Sequence, residues 1–106
     1  MRIFLTCSKT AFNKHRRLYA AVLNELKKSK VGVEATLDKS FLNKTPELKK
    51  VKNLGLREDD YKYVHDTAVR QAIYRCDAIV IEASYPSFRL GFETFFALSL
   101  QKPVLV

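Results

Sequence analysis

The tetrad Ala78-Ile79-Val80-Ile81 limits this chain most, because it is apolar without interruption. A strand with one wet face alternates apolar and polar side chains, whereas a strand covered on both faces, as in a parallel sheet between helices, reads as one continuous run. Ser84, Pro86, Ser87 and Gly91 then break the apolar pattern, and Phe92, Phe95, Phe96 and Ser99 resume it at helical spacing. A parallel strand running through a loop into a helix places that loop at the carboxyl edge of the sheet, where ligands of open α/β sheets bind. Unpaired N–H groups of the first helical turn, with the hydroxyls of Ser84 and Ser87, suit an anion such as phosphate. Glu93 is expected in that first turn, held ionised by the positive end of the helix dipole. Glu82, at the end of the strand, reads as a structural hydrogen-bond acceptor.

The rest of the chain supplies the other layers of the same architecture. Residues 2 to 7, RIFLTC, read as a central parallel strand, and a helix follows from about Lys14 to Lys30 with Leu18, Tyr19, Val22, Leu23 and Leu26 on its apolar side. Val31 to Leu37 mixes β-branched residues with alternation and reads as an edge strand. Thr45-Pro46-Glu47 and Gly55 are start and stop signals for a short helix near residues 46 to 53. A longer helix is expected from about Glu58 to Cys76, with Val64, Ala68, Val69, Ala72, Ile73 and Cys76 on one face and Asp59, Asp60 and Arg75 suiting its dipole. The helix after Gly91 runs to about Leu100, and Val104 to Val106 form the last strand. This order predicts one domain with a doubly wound, Rossmann-like parallel sheet, strand order 2-1-3-4, helices on both faces and a crevice between the loops after the first and third strands. The chain ends inside a strand, where a complete domain normally continues, so a truncated C terminus is expected.

Composition narrows the function classes. A length of 106 residues with 47% apolar content fits one small core. No run reaches the ~20 apolar residues of a membrane span, and MRIFLTC is too short for a signal peptide, so a soluble, cytoplasmic protein with no membrane partner is expected. Cys7 and Cys76 lack CxxC spacing and read as buried, inert thiols, with neither metal, disulfide nor cofactor implied. The formal charge of +8 and the pI near 9.7 attract anions over distance. The lysines and arginines are dispersed, however, with no nucleic-acid-binding motif among them, which leaves a solvated basic face or a field steering small phosphorylated ligands. His15 and His65 read as surface residues.

With these residues in place, the chain resembles the 2'-deoxynucleoside 5'-phosphate N-hydrolases and, more distantly, the nucleoside 2-deoxyribosyltransferases. The resemblance runs nearly end to end, through RIFLTCS, LYAAVLNEL, RCDAIVIEASYPSFRLGFE and ALSLQKPVLV, and Glu82, Pro86, Ser87, Gly91 and Glu93 fall on the strand-loop-helix signature. It implies that Glu93 is the nucleophile at the anomeric carbon of the sugar, that Ser87 holds the 5'-phosphate, and that Gly91 lets the ligand approach the backbone. It also implies a homodimer in which a neighbour lends residues to the pocket. Three departures stand out. The family's acidic partner falls on Val69, eight residues before Asp77, and valine transfers no proton. Asp66, one turn earlier and about 60° around the helix, substitutes only if the helix is rotated or its side chain reaches round. Phe4 replaces a tyrosine, and the glycine-rich turn becomes Ser8-Lys9-Thr10-Ala11-Phe12, where Ser8, Lys9 and Thr10 bind phosphate by side chain, with Arg89 adding a charge-assisted contact.

Two readings follow. In the first, the protein hydrolyses or transfers the N-glycosidic bond of a (deoxy)nucleoside 5'-monophosphate through Glu93. In the second it is a catalytically impaired nucleotide-binding module of the same fold, as Val69 and Phe4 together suggest. Non-specific nucleic-acid binding by net charge is a third class, and would show affinity falling steeply with salt.

Overall fold

The computed structural model describes residues 1–8, 12–36 and 58–106, and side chains for 1–8, 14–36 and 66–106. The first strand, β1 (Arg2–Cys7), leads into helix α1 (Phe12–Lys28) and strand β2 (Gly32–Ala35). Helix α2 (Glu58–Arg75), strand β3 (Ala78–Glu82), helix α3 (Phe88–Ser99) and strand β4 (Val104–Leu105) complete the described chain. All three strand pairings are parallel, in the order β2-β1-β3-β4, so the doubly wound topology is as expected. The short helix expected near residues 46 to 53, the far end of the second strand at Leu37, and Val64 with its neighbouring acids fall outside the described residues or side chains.

Register explains how β1 serves two cores at once. Phe4 lies opposite Ile79 and Thr6 opposite Ile81. Because successive side chains point to opposite faces, Phe4 packs with Ile79 and Ile81 beneath α2 and α3, and Leu5 and Cys7 pack with Tyr19 beneath α1. On the first face the core runs from Ala68, Val69, Ala72 and Ile73 of α2 to Leu90 and Ala97 of α3. On the second face it is thinner, with Val22, Leu23, Leu26 and Val80 only half-buried.

Two apolar faces differ from expectation. Leu18, expected inside, is half-exposed, while Tyr19 is buried as expected. The larger correction is α3, where Phe92 is half-exposed and Phe95 is 72% exposed, while Leu90, Glu93 and Ala97 form the buried stripe. Phe88, Phe92, Phe95 and Phe96 lie around so much of the helix that apolar spacing alone does not choose a face. A stripe containing Ala97 lets the helix lie close to the sheet, and a carboxyl group thereby enters the core. Burial in β3 also alternates, with Ile79 and Ile81 buried and Ala78 and Val80 half-buried, because one covering layer is thinner.

At the amino edge of the sheet a set of polar groups is mutually engaged. The backbone N–H of Arg2 donates to the Asp77 carboxylate at 2.7 Å. Glu34 accepts from Arg2 at 3.0 Å, from Arg75 at 3.2 Å, and from the Cys76 thiol at 3.2 Å. The Lys102 ammonium donates to the carbonyls of Tyr74 and Cys76, placing a cation at the negative end of α2. Both cysteines are free and buried, and desolvation first, with nearby carboxylates second, pushes each thiol up to about 12. They are therefore protonated and unreactive at neutral pH, as expected.

Candidate functional site

The opposite, carboxyl edge is built around Glu93. The helix that carries it starts at Phe88, with Ser87 in extended backbone as the N-cap, its hydroxyl accepting from the Leu90 N–H at 3.2 Å. Glu93 is thus the sixth helical residue, beyond the first turn in which it was expected, and no acid occupies that turn. Only 2% of its surface is exposed. Burial accordingly outweighs the dipole: desolvation raises the Glu93 carboxyl from 4.5 to about 7, opposed by a hydrogen bond from Thr6 and by the charge of Arg89, and reinforced by Asp66. The expected ionised carboxylate is instead one poised near neutrality. Its Oε2 has no hydrogen-bond partner among the described residues.

A cavity of about 420 Å³ opens beside this carboxyl, a volume typical of small-molecule sites. Helix α2 contributes Asp66, Val69 and Arg70, and α3 contributes Phe88, Arg89, Phe92 and Glu93. The Asp66 Oδ1 lies 3.0 Å from Arg89 Nη2, an ion pair bridging the two helices across the cavity. Both partners are more than a third exposed, so water screens much of that attraction, and its effect is chiefly to orient. Two acids and two guanidinium groups therefore share one partly apolar hollow, with Val69 forming an inert wall in the core.

The remaining expected site residues are placed less uniformly. Ser8 is buried at the end of β1 with its hydroxyl unpartnered among the described residues, and Thr36, at the end of β2, is in the same condition. Lys9 and Thr10 lie outside the described residues. Ser87 serves first as a helix cap, which leaves its own hydroxyl proton to donate. Gly91 is exposed, and a Cβ built on it meets nothing within 4 Å, so helix packing does not require glycine there. Glu82 accepts from the Ser84 N–H at 2.8 Å, the structural role expected of it.

Three contributors were not anticipated. Arg70 follows Asp66 by one helical turn and so shares its face, a spacing visible in the sequence. Thr6 alternates with Phe4, which aims it at the α3 side. Phe88 opens α3 and is 97% exposed at the cavity wall, a position that only the helix start defines. Among the described residues, no three His, Cys, Asp or Glu side chains gather as a metal site requires, and no helix is long and apolar enough to cross a membrane. No protein-family model matches the chain, and no curated protein matches it significantly.

Proposed function

We propose that the protein cleaves the N-glycosidic bond of a (deoxy)nucleoside 5'-monophosphate, with Glu93 as nucleophile, as the resemblance to the 2'-deoxynucleoside 5'-phosphate N-hydrolases implies. The observation that carries the reading is a nearly fully buried carboxyl, with one oxygen lacking a partner among the described residues, in the wall of a cavity that also holds Asp66 and Arg89. In the ionised form, a Glu93 oxygen bonds to the anomeric carbon as the carbon–nitrogen bond breaks, and the electron pair leaves with the base, which takes a proton from solvent. Water, or a second base in a transfer reaction, then displaces the glutamyl ester and regenerates the carboxylate. Asp66, held in place by Arg89, faces the developing positive charge on the sugar. Phe88 and Phe92 offer ring faces to the ligand.

The exposed Phe88, Phe92, Phe95 and Leu98 supply an apolar surface on α3 fit for a second copy of the chain, consistent with the homodimer that the same resemblance implies. The alternative reading, a nucleotide-binding module without turnover, is favoured by one specific observation: Asp66, the acid one helical turn before Val69, is already ion-paired to Arg89. Incubation with a panel of 2'-deoxynucleoside 5'-monophosphates, followed by assay of free base, separates the two. The N-glycosidase reading predicts base release that falls by ~10³-fold or more in Glu93→Ala. Nucleotide binding without any release supports the module, and equal release by wild type and variant removes Glu93 from the chemistry.

A further inference from the structure

The two guanidinium groups of the cavity are not equivalent. Arg89 is neutralised, its Nη2 lying 3.0 Å from the Asp66 carboxylate. Arg70, one turn after Asp66 on α2, has the spacing that ordinarily pairs an acid with a base on one helix, yet Asp66 points to α3 instead. The contact left to Arg70 is a long hydrogen bond, 3.4 Å from its Nη2 to the Thr67 hydroxyl of its own helix. Half-buried in the cavity wall, it has no carboxylate partner among the described residues. A guanidinium presents five N–H donors in a planar fork suited to two oxygens of a phosphate or carboxylate, and among the described residues only the Thr67 hydroxyl engages them.

We infer that Arg70 is the anion-recognising group of this cavity and that Arg89 is a positioning residue which holds Asp66. The ligand class is an organic anion with a planar ring, its charged end on Arg70 and its ring along Phe88 and Phe92. The inference rests on the nucleotide reading for the identity of the ligand, but not for the location of its charge. It also shifts anion binding away from Ser87, whose hydroxyl caps α3, and from Arg89.

Titration calorimetry on the wild type, Arg70→Gln, Arg70→Lys and Arg89→Gln tests it, with three probes: 2'-deoxynucleoside 5'-monophosphates, the matching nucleosides, and inorganic phosphate. The expected result is that Arg70→Gln weakens monophosphate binding by about ten- to a hundred-fold, as loss of a charge-assisted contact does, while nucleoside affinity stays unchanged. Arg70→Lys recovers part of the loss, which a merely structural role would not produce, and it carries the test should Arg70→Gln fail to fold. Arg89→Gln loses less affinity than Arg70→Gln. The inference is overturned if Arg70→Gln binds monophosphate like the wild type, if Arg89→Gln shows the larger loss, or if the wild type binds neither nucleotide nor phosphate. Phosphate bound by the wild type and lost in Arg70→Gln, with no nucleotide bound at all, upholds Arg70 and sinks the nucleotide reading alone.

Discussion

The two edges of the sheet treat their polar groups in opposite ways. At the amino edge, Glu34 takes three donors from Arg2, Arg75 and Cys76, Asp77 takes the first strand N–H, and Lys102 closes the end of α2. At the carboxyl edge, Ser8, Thr36 and Glu93 each keep a buried oxygen without a partner among the described residues. An unsatisfied buried polar atom costs about 1–3 kcal/mol, and folded chains contain few of them. Among the described residues, one end of the sheet thus pairs the polar groups named above, while three buried oxygens at the other end are without a described partner. The carboxyl edge is also where a parallel sheet presents its ligands.

The sharpest way to break this contrast is to change one carboxyl at each end. Glu93→Gln keeps shape and removes the nucleophile, so base release from a deoxynucleoside monophosphate should fall by ~10³-fold or more while the protein remains folded. Unchanged turnover would reduce the carboxyl edge to a packing defect.

Stability against pH gives the next largest effect. A carboxyl raised from 4.5 to about 7 binds its proton more tightly in the folded than in the unfolded chain. Its contribution is therefore fully present below about pH 4.5, is lost as pH rises towards 7, and is flat above that, the reverse of an ion-paired acid. At 1.36 kcal/mol for each pH unit, the loss is on the order of 3 kcal/mol. Urea unfolding of the wild type and Glu93→Gln between pH 4.5 and 8 should show the variant gaining on the wild type by that amount, and parallel curves would contradict the burial account.

Glu34→Gln probes the amino edge. Its guanidinium partners are about half exposed and screened by water, so the expected loss is only about 1–2 kcal/mol, read as a lower urea midpoint with ligand binding unaffected. An effect on binding would mean that the two edges are not separate. Gly91→Ala should have the smallest effect. An added Cβ meets nothing, and alanine favours the helix by about 0.5–1 kcal/mol, so the free protein should melt slightly higher. If a ligand does approach that backbone closely, the same variant binds it less well.

Much of the fold could be read from the chain because each decisive signal was local. The continuous run at Ala78 to Ile81 marks a strand covered on both faces, RIFLTC matches β1 residue for residue, and strand-helix alternation with right-handed crossovers leaves few sheet orders. The place of Glu93 beside the strand-loop-helix turn was legible for the same reason. Its protonation was not, since desolvation depends on how deeply the packed fold buries the carboxyl, and that is not encoded in spacing along α3. Likewise the Asp66–Arg89 pair joins two helices through side-chain reach, a quantity that a 60° offset on an ideal helix does not supply. The phenylalanines misled because an apolar residue on a helix signals burial only when other faces are polar.

The account turns on the condition of one carboxyl group. Carbon-13 NMR titration of the Glu93 side-chain carboxyl, assigned by its disappearance in Glu93→Gln, measures that condition directly. The account predicts a midpoint near 7, well above the ordinary 4.5, and a midpoint at or below 4.5 would mean that Glu93 is solvated or already paired and that the carboxyl edge is as settled as the amino edge.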